Sequence, residues 1–94
     1  MTDDKKFHMQ AYFSGRVQGV GFRYHTLQIA KEFEVSGYVR NLPDGRVQLE
    51  AEGSQQEVRG FLAETADRLS IFIRNTEVTE DWRHPQFAGF TIAI

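Results

Sequence analysis

The segment Gly15-Arg16-Val17-Gln18-Gly19-Val20-Gly21-Phe22-Arg23 sets closely spaced glycines beside two arginines, between a strand-like run ending at Phe13-Ser14 and a helix-like run starting near Phe22. Glycine lets the backbone turn tightly and approach a ligand, and the first turn of a helix presents unpaired N–H groups at the positive end of its dipole. The chemistry such a segment suits is the holding of an anion. Arg23 falls in that first turn, where a forked, permanently charged guanidinium can close over a phosphate whose other oxygens accept backbone N–H bonds. Its charge opposes the helix dipole there, a mild misfit that favours an anionic partner. Taken alone, the same segment reads equally as a plain strand-to-helix turn, with Arg23 a solvated surface charge.

Known phosphate motifs narrow the choice by failing. A Walker loop requires Gly-Lys followed by Ser or Thr, whereas Gly21 is followed by Phe22-Arg23, so no side chain is placed for nucleotide-bound magnesium. A dinucleotide fingerprint requires glycine where Tyr24 stands. A cysteine-nucleophile loop is excluded because the chain has no cysteine. His25 reads as structural or peripheral, and His8 and His84 lack ligand spacing with it or with nearby carboxylates, so no metal site is expected. Ser14 has no matched His-Asp partners for a covalent serine mechanism. Arg40 and Arg16 read as either site cations or exposed scaffold charges, and Gln18 as a ligand contact through its side chain or only its backbone.

Alternating elements must position this loop. Phe7, Met9, Ala11 and Phe13 alternate with His8, Gln10, Tyr12 and Ser14, the period of a half-buried strand. Phe22, Thr26, Ile29, Ala30 and Phe33, with Leu27 broadening the stripe, predict a helix from Phe22 to about Glu34. Gly37 to Asn41 reads as a second strand ending at Leu42-Pro43-Asp44-Gly45, where proline presets one dihedral and glycine accepts a positive one. Val47, Leu49 and Ala51 alternate with polar residues to complete a hairpin. Ser54 followed by Glu57 predicts a capping box, and Val58, Phe61, Leu62, Thr65, Ala66 and Leu69 form the stripe of the next helix. A fourth strand falls within Ile71 to Trp82, and Phe90, Ile92 and Ile94 mark a fifth.

This order predicts an α+β, ferredoxin-like β-α-β-β-α-β sandwich with a mainly antiparallel sheet and an additional C-terminal strand. Two helices cover one face, leaving Arg46, Gln48, Glu50 and Glu52 with His8 and Tyr12 on an exposed one. That exposed set lacks the paired aromatic platform of an RNA-binding sheet. The 94 residues suffice for one core, expected over 7–94 behind a flexible polar tail at 1–6. Formal net charge is −2, which argues against a general nucleic-acid binder. With no apolar run of spanning length and no hydrophobic signal region after the polar start, a cytoplasmic monomer without membrane contact is expected.

The loop segment resembles the active-site signature of the acylphosphatases, and Gly37-Tyr38-Val39-Arg40-Asn41-Leu42-Pro43-Asp44-Gly45-Arg46-Val47 with Glu52-Gly53 resembles that family's second signature. The similarity runs from about Phe7 to Leu69 and continues more weakly into the C-terminal strand. One departure is Leu69-Ser70-Ile71-Phe72-Ile73-Arg74, where many acylphosphatases carry a Gly-Pro step. The resemblance implies a cofactor-free, metal-independent enzyme that hydrolyses small acyl phosphates to carboxylate and inorganic phosphate. It implies that Arg23 and the segment Arg16, Val17, Gln18, Gly19 and Val20 hold the phosphoryl group, and that the Asn41 carboxamide orients the attacking water. The alternatives are a ferredoxin-like anion-binding module without turnover, and the acylphosphatase-like part of a carbamoyl-transferring enzyme.

Overall fold

Period-two alternation from Phe7 builds β1 (Lys6–Gly15) in the computed structural model, which describes residues 4–94. The elements that follow are α1 (Phe22–Ala30), β2 (Val35–Asn41), β3 (Val47–Gly53), α2 (Gln55–Arg68), β4 (Ile73–Arg83) and β5 (Phe90–Ile92). They form one sheet in the order β4-β1-β3-β2-β5, antiparallel except where β2 runs parallel to β5. The ferredoxin-like expectation holds, including the added C-terminal strand. Of the segment read as a tail, residues 1–3 lie outside those described, and Lys6 already pairs with Arg83 in the sheet.

One sheet face carries the core. Phe7, Met9, Ala11 and Phe13 of β1 and Val47, Leu49 and Ala51 of β3 are all buried, as their alternation requires, together with Val58 and Phe61 of α2 and Phe22 and Ile29 of α1. Phe61 meets Phe33 and Phe90 at ring-centroid distances of 6.1 and 5.3 Å, so the second helix, the loop after the first and the last strand share one aromatic contact. Among the described residues no helix is long and apolar enough to cross a membrane.

Boundaries depart from the periodic reading in ways that tertiary contacts explain. The first helix stops at Ala30, and the N–H groups of Lys31, Glu32 and Phe33 bond three residues back, tightening the exit so that Phe33 still reaches the core. Ser54 caps the second helix by accepting from the Glu57 N–H at 3.1 Å. The reciprocal arm of the capping box is diverted: Glu57 Oε1 accepts from the Glu34 N–H at 2.8 Å and so ties this helix to the start of β2. Ile94 lies beyond β5 and is exposed. Gly37 sits where an added Cβ would stand 1.9 Å from the Glu50 carbonyl oxygen, at φ 149°, so the β2–β3 approach requires glycine.

The other sheet face corrects an expectation. The pattern leaves Gln48, Glu50 and Glu52 exposed, yet all three are buried. The chain between β4 and β5 crosses Glu52: the N–H groups of Gln86 and Phe87 donate to its Oε1 at 2.8 and 2.5 Å, and the Phe87 ring stands edge-on to Tyr38, while Gln48 is held by Arg40 and Tyr12. On the same face, His8 Nε2 lies 2.5 Å from Glu50 Oε2 and its Nδ1 3.2 Å from Asp81 Oδ1. Tyr38 donates its hydroxyl to Glu50 Oε1 at 2.6 Å. Burial, and then the adjacent Glu50 carboxylate, push the Tyr38 phenol up to about 12. The layer is polar but hydrogen-bonded, which is the condition for burying such groups without a large penalty.

Candidate active site

Antiparallel pairing brings several chain ends to one end of the sheet. Phe13 pairs with Val47, Val47 with Asn41, and Gly15 with Ile73, so the loop after β1, the end of β2 and the start of β4 lie side by side. The loop then enters the first helix through Gly21, whose left-handed backbone (φ 78°, ψ 18°) no ordinary side chain adopts readily. No side chain caps this helix and no acid stands in its first turn. Its first internal bond runs from the His25 N–H to the Gly21 carbonyl at 3.0 Å, which leaves the amides of Phe22, Arg23 and Tyr24 without intrahelical partners. The sequence thus supplies an N-terminus with nothing of its own to neutralise the dipole.

A pocket of about 250 Å³ opens over this N-terminus. Val17, Gly19 and Gly21 of the loop, Phe22, Arg23 and Tyr24 of the helix, Asn41 of β2 and Ile92 of β5 line it. Val17 is buried and anchors the loop, while Gly19 is exposed. Arg23 is half-buried and has no carboxylate partner among the described residues. Asn41 ends β2, and its Oδ1 is buried without a hydrogen-bond partner among the described residues. A buried acceptor left unpaired costs about 1–3 kcal/mol and is uncommon outside functional positions.

Gln18 explains how the loop and Asn41 keep their relation. Its side-chain amide donates to the Leu42 carbonyl at 2.9 Å and to the Arg46 carbonyl at 3.0 Å, clamping the loop to the hairpin turn that follows Asn41. Both amide hydrogens are therefore committed to the scaffold. The turn is closed independently by the Leu42 N–H to the Arg46 carbonyl at 2.8 Å.

Of the residues singled out in the sequence, Val17, Gly19, Arg23 and Asn41 converge on the pocket. Gln18 and Val20 lie within the same loop, with Val20 packed against the core. Arg16 departs from the group: its N–H donates to the Phe72 carbonyl at 2.9 Å and its side chain lines a neighbouring groove toward β4. Arg40 is held on the polar sheet face, donating through Nε to Gln48 Oε1 at 2.7 Å, and is a scaffold charge. His25 is exposed, stands edge-on to Tyr24, and does not line the pocket. The pocket also includes Tyr24 and Ile92, which the sequence reading did not single out. Ile92 arrives there through the parallel Val39–Ile92 pairing, which no local pattern signals. Among the described residues no three His, Asp or Glu side chains gather as a metal-binding group.

Uncapped amides, a guanidinium without a carboxylate and an unpaired buried carboxamide oxygen together favour an anion with a small polar molecule beside it. Fold and pocket thus define a ferredoxin-like domain whose glycine-rich loop opens on an uncapped helix N-terminus. The family model described as Acylphosphatase matches residues 9–92, and the chain belongs to the acylphosphatase family. The acylphosphatase of Bacillus pumilus is 42% identical over 83 residues, covering 88% of this chain and 90% of that one. That of Archaeoglobus fulgidus is 51% identical over 55 residues, covering 58% of this chain and 62% of that one. The crystal structure of the Bacillus subtilis acylphosphatase superposes with a TM-score of 0.84 at 29% identity, covering 94% of this chain and 99% of that one.

Proposed function

We propose that this protein cleaves the carboxyl–phosphate bond of small acyl phosphates by direct attack of water on phosphorus, as a metal-independent monomer in the cytoplasm. The amides of Val17, Gln18, Gly19 and Val20 and the Arg23 guanidinium hold the phosphoryl oxygens, and the Asn41 carboxamide orients the water. The observation that carries the reading is that Asn41, with its buried unpaired Oδ1, lines the same pocket as the carboxylate-free Arg23. Family membership supports the same reaction class.

The chemistry asks for little beyond this. A carboxylate is a good leaving group, so positioning and charge stabilisation replace strong acid catalysis. Water oxygen bonds to phosphorus as the bond to the acyl oxygen breaks, and the electron pair leaves on the carboxylate. A carboxamide is no base near neutral pH, so the water's proton passes to a phosphoryl oxygen. Charge spreads over the equatorial oxygens as the bond loosens, where the guanidinium fork and the amide dipoles act.

Hydrolysis of benzoyl phosphate by purified protein with a chelator present tests the reading, with Arg23→Ala alongside. Sustained turnover by the wild type, lost in the variant, is expected. A folded wild type without turnover would replace this reading with a binding module that does not turn over its anion.

A further inference from the structure

Glu52 is a buried carboxylate on the sheet face away from the helices, and among the described residues no cation pairs with it. Its partners are backbone donors: the Gln86 N–H at 2.8 Å to Oε1 and 3.1 Å to Oε2, and the Phe87 N–H at 2.5 Å to Oε1. Both donors belong to residues 84–89, the strap of irregular chain that joins β4 to β5. Burying a carboxylate is costly, and these charge-assisted bonds offset that cost only while the strap stays in place.

The strap crosses the whole sheet, because β4 and β5 are its two edges, and β3, which carries Glu52, is the middle strand. The chain from Arg83 to Phe90 reaches at most roughly 25 Å when fully extended. The strand spacings it must cross add to roughly 19 Å. Little slack remains, so a displacement at the middle of the strap passes on to β5.

β5 depends on that delivery. It has three residues and pairs only with β2. The Gly37 N–H donates to the Gly89 carbonyl before it, and the Ala93 N–H to the Val39 carbonyl after it, each at 2.9 Å. So short a strand fixes little of its own register, and a slip of one residue turns every side chain to the other face. In the observed register Ile92 lies opposite Val39 and lines the pocket together with Asn41. Val17 and Phe22 are buried in the core, so the apolar surface the pocket offers a bound molecule is that of Ile92 and Tyr24, 38% and 60% exposed.

We propose that Glu52 is a positioning residue for the pocket: by holding the strap it sets the register of β5 and keeps Ile92 against the acyl group of the bound substrate. This rests on the acyl-phosphate reading above. The Phe87 ring, edge-on to Tyr38 at 5.7 Å, and the Gly89 N–H, 3.3 Å from Ser36 Oγ, tie the same strap to β2.

The test compares kcat/KM for benzoyl phosphate with that for acetyl phosphate, whose methyl group offers Ile92 far less apolar surface. Wild type, Ile92→Ala, Glu52→Ala, the double variant and Glu52→Gln are measured, with inhibition by inorganic phosphate as a readout of the cradle alone. The benzoyl-over-acetyl ratio is expected to fall roughly tenfold in Ile92→Ala and about as far in Glu52→Ala, with no further fall in the double variant. Glu52→Gln keeps an acceptor oxygen and should recover most of the ratio, and the phosphate inhibition constant should hold in both Glu52 variants. If Glu52→Ala does not fold, Phe87→Ala, which frees the strap from Tyr38, takes its place with a fall in the same direction. An unchanged ratio in Ile92→Ala or in the folded strap variant, or losses that add in the double variant, overturns the positioning role and leaves the proposed reaction standing. A wild type that hydrolyses neither compound overturns the reaction itself, and the positioning role with it.

Discussion

Asn41→Ala separates catalysis from binding and from stability. Oδ1 is buried without a partner among the described residues, at a cost of about 1–3 kcal/mol, and truncation removes that cost. Against it stands the lost packing of a half-buried side chain of a few atoms, worth about 1 kcal/mol. The balance of the two terms does not favour the native side chain, so the melting temperature is expected to match or exceed that of the wild type. Turnover follows a different account. If the carboxamide orients the attacking water, losing it removes one preorganised contact of the transition state, about 3–4 kcal/mol or a 10²–10³-fold fall in kcat. Inhibition by inorganic phosphate should not change, because Arg23 and the loop amides remain. The assay is benzoyl phosphate hydrolysis under saturating substrate, with phosphate inhibition and a thermal melt on the same preparation. Preserved kcat would remove Asn41 from the mechanism. A melting temperature far below the wild type would show instead that the side chain is a structural partner.

Arg23→Lys keeps the charge but loses the fork, so phosphate inhibition should weaken by about tenfold or more; titration giving an unchanged inhibition constant would refute the clamp. Gln18→Ala removes the two bonds to the Leu42 and Arg46 carbonyls, which keep backbone partners in Gly45 and Leu42. The expected loss is about 1–3 kcal/mol in urea unfolding, with a larger fall in kcat/KM as the loop shifts relative to Asn41, and equal activity would show that the clamp does not position the site. Tyr38 has its phenol pushed up to about 12 by burial and then by Glu50, so its contribution to stability is complete below pH 10 and is lost as pH rises toward about 12. Tyr38→Phe should flatten the stability profile across that window, and identical alkaline profiles by denaturant melts would contradict the assignment. Glu32 and Glu80 are held below the usual carboxylate range by hydrogen bonds from Arg68 and Arg59, so their stabilisation is present above about pH 4.5 and fades as the pH falls lower. Acid melts of Arg68→Met and Arg59→Met should show a shallower pH dependence than the wild type, and an unchanged slope would remove these pairs from the acid response.

Local chemistry determined much of this protein from the sequence alone. The alternation of β1 and β3 named the apolar residues that face the core from both strands, because pleated backbone sends successive side chains to opposite faces. Ser54 marked the start of the second helix and the glycines around Arg23 marked the loop, because caps and positive φ angles are properties of a few adjacent residues. What the tertiary structure alone decided depends on pairings across long stretches of chain. Glu52 looks like a solvent-facing strand position until the chain after β4 crosses it, Glu50 until His8 and Tyr38 bond to it from the neighbouring strands, and Glu57 looks like a capping-box acid until Glu34 arrives beside it. Gln18 became a clamp because its side chain reaches the carbonyls of a hairpin turn, and Ile92 entered the pocket through a parallel pairing. Arg16, next in sequence to Val17 of the pocket, lies instead in a groove beside the start of β4, where its own amide bonds to the Phe72 carbonyl. Periodicity records which way a side chain faces, whereas the identity of what it faces depends on segments brought together only when the sheet closes.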